Sequence, residues 1–200
     1  MTYRIIAGRR FEGGSFHKVS GVLSGLRMDI HTAQTCTTTN STLIGAFLVS
    51  DNDFSGTVPE HRIRDVCDAL ADVLTGKMTV DHVFRRSGLF RMKRRNRVIA
   101  PVEPHVSVDN DCSEKYTVVD VFATDCPGLL YTLALTLYRR NLSVELARIA
   151  TNVDQVVDVF YISDADGNKL EDPAAIKELR QALLTDLNEL ERQWSGAFQT

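Results

Sequence analysis

The chain contains no apolar run approaching the ~20 residues a membrane-spanning helix needs, and Met1-Thr2-Tyr3-Arg4 does not open a signal peptide. Cysteine is sparse as well. Cys36, Cys67, Cys112 and Cys126 stand far apart with no Cys-x-x-Cys pair, which reads as reduced thiols in a cytoplasmic protein. Neither sign of charge is in large excess: 23 Lys+Arg face 26 Asp+Glu, and the formal charge of -3 argues against nucleic acid as a partner. Tryptophan occurs once, at Trp194. What remains is ordinary globular composition, 44% hydrophobic and 24% charged over 200 residues, enough for one medium domain or two small ones.

The most informative stretch is Asp125-Cys126-Pro127-Gly128-Leu129-Leu130-Tyr131. The residues before it, from Tyr116 to Ala123, are β-branched and aromatic and predict a strand. Those after it place Leu129, Leu130, Leu133, Leu135 and Leu137 at helical spacing. Between them lies a tight strand-to-helix turn, in which Pro127 presets φ and Gly128 allows close backbone approach. Such a turn presents unpaired amides at a helix N-terminus, suited to a carboxylate or carbonyl. It holds no strong nucleophile beside a base, so it receives a ligand rather than performing chemistry.

Taken in order, the chain reads as a strand at 3–8, a glycine turn at Gly13-Gly14-Ser15, a helix fading near Gly25, and strands at 28–38 and 43–50. Pro59 opens a helix striped by Ile63, Val66, Cys67, Leu70, Val73 and Leu74 and ended by Gly76, and Val80–Phe84 is predicted as a final strand. The same order then recurs: strand, helix 129–138, strands 142–151 and 155–163, and a helix opened by Pro173 that runs to about Trp194. Gly14 matches Gly128 and Leu23 matches Leu137 at a spacing of 114 residues, whereas Phe47–Asp51 matches Phe160–Asp164 at 113. The one-residue difference falls in the hairpin at 39–42, where length is free to vary. Internal repetition over most of the chain is the main organisational feature. It divides into a first repeat at 1–86, a basic linker and extended segment at 87–114, and a second repeat at 115–200.

Seven of the thirteen residues from Arg85 to Arg97 are basic and none is acidic, which suits a solvated linker or contact with an acidic partner. The segment from 98 to 108 reads as an extended edge strand beside the one at Tyr116–Ala123. Asp125 either N-caps the following helix or holds a ligand ammonium group. Asn141 is a turn residue or a donor to a ligand carboxylate. His17 is expected at the surface, and Trp194 is expected to pack on a sheet or a partner. Asp109, Asn110, Asp111 and Ser113 lack the spacing of a calcium loop and read as a turn.

A β-α-β-β-α-β unit with Pro-Gly-Leu after its first strand resembles the ACT domain, a small ferredoxin-like regulatory module. The strings Asp125–Tyr131, Asn141–Val144, Ala147–Thr151, Asp158–Asp164 and Gly167-Asn168-Lys169 resemble more closely the C-terminal ACT region of the bifunctional PII uridylyltransferase/uridylyl-removing enzyme family. That family ends in two ACT repeats. The resemblance departs at two places: the arginine usual in the Asp-Arg-Pro-Gly turn is Cys126, and the first repeat has Gly13-Gly14-Ser15 in place of Pro-Gly-Leu, with Phe11 in place of the aspartate.

The resemblance implies an α+β fold of two tandem ferredoxin-like (βαββαβ) ACT domains, each an antiparallel sheet backed by helices. It implies sensing of a small amino acid, glutamine in this family, with Asp125, Pro127, Gly128, Leu129, Leu130, Asn141, Gly13 and Gly14 as ligand-binding positions and no cofactor or metal. The expected partners are a catalytic domain or a PII-type signalling protein, with a homodimer through the ACT sheets, and neither nucleic acid nor membrane. The nucleotidyltransferase and phosphohydrolase domains that precede the pair in this family have no counterpart in these residues. Gly13-Gly14-Ser15 with Asp29-Ile30-His31 lacks the paired carboxylates that two-metal chemistry needs, and there is no adjacent His-Asp dyad. The expectation is therefore a regulatory module without catalytic residues. The alternative is an ACT-type protein-docking module that binds no small ligand.

Overall fold

The structure, a computed structural model, describes residues 2–7, 15–37, 43–54, 56–88, 102–152 and 155–196. Their elements are β1 (Thr2–Ala7), α1 (Ser15–Gly25), β2 (Met28–Thr37), β3 (Leu43–Asp51), α2 (Glu60–Leu74), α3 (Val80–Ser87), β4 (His105–Asp109), β5 (Thr117–Thr124), α4 (Leu129–Tyr138), β6 (Ser143–Asn152), β7 (Gln155–Ser163) and α5 (Pro173–Gly196). All seven strands form one antiparallel sheet in the order β1-β3-β2-β6-β7-β5-β4. The fold is α+β and ferredoxin-like. The two halves meet where β2 pairs with β6, through Thr32↔Arg148, Ala33↔Ala147 and Gln34↔Leu146. A hydrogen bond from Thr35 Oγ1 to the Val144 carbonyl reinforces this seam.

Period-two alternation decides which face of the sheet is covered. Along β3, Phe47 and Val49 are buried while Ile44 and Leu48 are exposed; along β7, Val156, Phe160 and Ile162 are buried while Val157 is exposed. The buried sets face the helices. Helix α1 packs against α2, α3 and α4, and α5 packs against α4 and β4, so one helical layer spans both halves. Its close spacing depends on glycine. A Cβ at Gly21 would lie 2.7 Å from Tyr131 Cδ2, and one at Gly25 would lie 2.8 Å from Val83 Cγ1 and 2.9 Å from Phe84 Cδ1.

Two expectations change and one holds. Val80–Phe84 is not a strand but the start of α3, capped at Thr79, whose side chain accepts from the His82 amide at 3.2 Å. A short apolar run does not separate helix from strand, and the cap tips it to helix. Among the described residues the first half therefore contributes three strands, where four were expected. In the second half the extended segment supplies β4, the edge strand expected beside Tyr116–Ala123, which pairs antiparallel with β5 from His105↔Phe122 to Asp109↔Val118. It covers the outer edge of β5. His17, expected at the surface, is 7% exposed and stacks on Tyr138 at 4.4 Å between ring centroids, because α1 and α4 pack side by side.

Candidate functional site

The turn between β5 and α4 is built as its sequence requires. Gly128 takes φ 84° and ψ 0°, the left-handed region, and stands at the N-cap of α4. The first-turn amides of α4 give the turn its donor character. The Leu129 amide is used internally, donating to the Cys126 carbonyl at 3.1 Å, and the first regular helical bond, from Thr132 N to Gly128 O, measures 2.9 Å. Asp125 is exposed, and Cys126, Leu129 and Leu130 are buried.

Two aromatic side chains from other elements flank the turn. Trp194 near the end of α5 donates from Nε1 to the Pro127 carbonyl at 3.2 Å, so it packs on the turn and not on the sheet alone. Phe84 of α3 meets Tyr131 edge-on at 5.3 Å between centroids, and its Cε2 lies 3.9 Å from where a Gly128 Cβ would stand. The first half thereby reaches the second half's turn through α3.

The sheet below α4 and α5 holds a residue that was not singled out from the sequence. Asp158 lies on β7 opposite Val121 of β5 and Ile149 of β6, in the buried phase of the strand. It is 1% exposed, and its Oδ1 has no hydrogen-bond partner. Burial, and secondarily the nearby Asp125 charge, push its pKa up to about 8. A signal existed: in Val156-Val157-Asp158-Val159-Phe160 the aspartate shares parity with Val156 and Phe160, which a half-buried strand turns inward.

The expected site residues divide into three groups. Asp125, Pro127, Gly128, Leu129 and Leu130 come together at this turn. Asn141 does not join them. It lies past the C-terminus of the ten-residue α4, about 15 Å along the helix axis, and adopts φ 58° as the left-handed turn into β6. Gly13 and Gly14 lie outside the described residues. Two cavities of about 600 and 530 Å³ surround α2, one beside Ser50 and Phe54 and the other beside Arg62 and Asp68; the turn lines neither. Among the described residues no group of three His, Cys, Asp or Glu could hold a metal ion, and no helix is long and apolar enough to cross a membrane.

Residues 105–192 match the family model described as the ACR9-like, ACT-like domain. This half is an ACT-like domain. Its match runs from β4 through nearly all of α5, so β4 belongs with it. The chain as a whole is similar to bifunctional uridylyltransferase/uridylyl-removing enzymes. It is 31% identical to that of Rhodospirillum rubrum over 170 residues, covering 85% of this chain and 18% of the relative. It is 28% identical to one from Pseudomonas putida over 193 residues, covering 90% and 21%, and 29% identical to one from Gluconobacter oxydans over 174 residues, covering 87% and 18%. The chain spans about a fifth of the length of these relatives. A crystal structure of an unknown protein from Galdieria sulphuraria aligns over 95% of this chain and 92% of that one, with 14% identity and a TM-score of 0.29. That score supports no argument. The ACT-like half is thus related to the uridylyltransferase regulatory region.

Proposed function

We propose that the chain is an amino-acid-sensing regulatory module of two ACT repeats, with its binding site at the turn between β5 and α4 and glutamine, as an indicator of nitrogen status, as the ligand. The observation that carries this reading is the left-handed Gly128 at the N-terminus of α4, in the ACT-like half. Backbone amides there receive the ligand carboxylate. Contact of Phe84 with the same turn supplies a route by which occupancy biases the relative arrangement of the two halves, and through it a catalytic domain or a PII-type signalling protein in the cytoplasm. The Gly13–Gly14 turn is the corresponding position in the first half, and its lost Pro-Gly-Leu suits a scaffold more than a second site. No residue set in this reading carries catalysis. Titration calorimetry with glutamine tests it: binding heat is expected for the native chain and none for Gly128→Asp, with far-UV circular dichroism confirming that the variant is folded. Absence of heat with every proteinogenic amino acid would overturn the reading.

A docking module without a small ligand is the second reading, and two observations favour it. Phe84 and Trp194 already cover the turn. Ile44, Leu48 and Val157 are 39%, 45% and 44% exposed on the open face of the sheet, a surface on which a second copy or another protein can pack. A thermal-shift screen over amino acids separates the readings, because a site-specific ligand raises Tm by mass action and a docking module stays flat.

A further inference from the structure

The helices leave one face of the sheet open, and the strand register reads out what stands on it. Side chains two apart on a strand share a face, as do residues directly opposite on neighbouring strands. Val157, 44% exposed, therefore places Val159 and Tyr161 on the open face with it, and the three form an apolar spine along β7. Beside Val157 stand Ala150 of β6 and Phe122 of β5; beside Tyr161 stand Leu146 and Val118. The row between them is charged, with Arg148 of β6 on one side of Val159 and Asp120 of β5 on the other. Arg148 is exposed, and its side chain meets no acid among the described residues. Asp120 accepts from Ser107 Oγ at 3.3 Å and, among the described residues, pairs with no base. Their strands are two steps apart in the sheet, about 10 Å, and the two charges do not meet within the chain.

A face with opposite charges at equal distances on either side of an apolar spine complements itself on rotation about that spine. A two-fold axis along β7 carries β6 over β5. Each Arg148 then faces the partner's Asp120, the spine residues meet their own counterparts, and Leu146 and Ala150 meet the partner's Val118 and Phe122. An axis along β6, the middle strand of the seven, would instead set Arg148 against the partner's Arg148, where like charges repel. The β7 axis overlays the five strands from β2 to β4 and leaves β1 and β3 outside. Five strands about 4.8 Å apart and about 25 Å long present about 600 Å² per copy, the lower end of what specific dimers bury. We propose that the open face of the sheet is an isologous interface, on which a second copy of this chain packs about a two-fold axis along β7 with Arg148 of each copy paired to the partner's Asp120. The contact uses the face of the sheet away from the helices, so it stands or falls apart from the sensing reading.

Sedimentation velocity of the full chain over a concentration series tests this, with Arg148→Asp, Asp120→Arg and the double charge swap as variants and far-UV circular dichroism to confirm that each is folded. Expected are a reversible monomer–dimer equilibrium for the native chain and a dissociation constant at least ~10-fold higher for each single reversal, which sets like charges face to face. The double swap restores both pairs and should return the dissociation constant to near the native value. That recovery separates a direct pair across the axis from a general effect of surface charge. A native chain that stays monomeric throughout the series overturns the proposal and leaves the face to a different protein. So does a dimer that the single reversals leave intact, or one that the double swap fails to recover.

Discussion

The two halves follow one plan and differ in where they carry polar groups. Each runs strand, helix, strand, strand, helix, and each lays its helices on the same face of the shared sheet. The position that holds Asp158 in β7 holds Gly45 in β3, given that Phe47 matches Phe160, and no carboxyl is buried there. The first half instead buries an ion pair. Arg62 Nε meets Asp51 Oδ2 at 2.8 Å, with the two side chains 11% and 1% exposed, and Arg62 also donates to the Leu26 carbonyl. One half places a satisfied charge pair where α1, β3 and α2 meet; the other places an unsatisfied acid in its sheet. A satisfied pair joins elements, whereas an unsatisfied acid suits a ligand. On the proposed reading, this contrast makes the first half scaffold and the second half the place of recognition.

Four measurements would break or sharpen this contrast. The largest effect is expected at Asp158. Its pKa is about 8 when folded against 3.8 for an ordinary aspartate; between these values the unfolded chain binds fewer protons, so this group lowers stability as pH rises through the window. Asp158→Asn removes the penalty, and its melting temperature should exceed that of the native chain at pH 8 and converge with it toward pH 4. Next, Arg62→Ala leaves Asp51 buried without its partner and should cost about 3–5 kcal/mol in urea unfolding, with glutamine binding retained if the first half is scaffold. Gly21→Val should cost about 1–3 kcal/mol by forcing α1 from Tyr131 and Val80. Smallest is Trp194→Phe, which loses the bond to the Pro127 carbonyl, worth about 1 kcal/mol, and should affect ligand entry more than Tm.

Much of the architecture was legible because it rests on periodicity. The alternation in Gln155–Ser163 and the leucine spacing in Leu129–Tyr138 delimit β7 and α4, and the displacement of one half onto the other places the hairpins. What escaped was decided by neighbours distant in sequence. Val80–Phe84 is short enough to be either element, and its outcome depends on the Thr79 cap and on glycines of α1 that receive Val80, Val83 and Phe84. His17 looks polar in isolation and is buried against α4, where it stacks on Tyr138, 121 residues away. At the site, the turn was readable from Pro127 and Gly128. Asp158 was passed over because a polar residue in a strand is ordinarily assigned to solvent, although its parity said otherwise.

The pairing of β4 with β5 has a practical reading for anyone dividing this protein. A fragment beginning at 115, where the repeat in the sequence begins, would leave the outer edge of β5 with unpaired backbone donors and acceptors, an invitation to strand-to-strand aggregation. One beginning at or before Val102, whose amide donates to Thr124 Oγ1 at 3.1 Å, keeps that edge closed. The place to cut lies inside what looked like a linker.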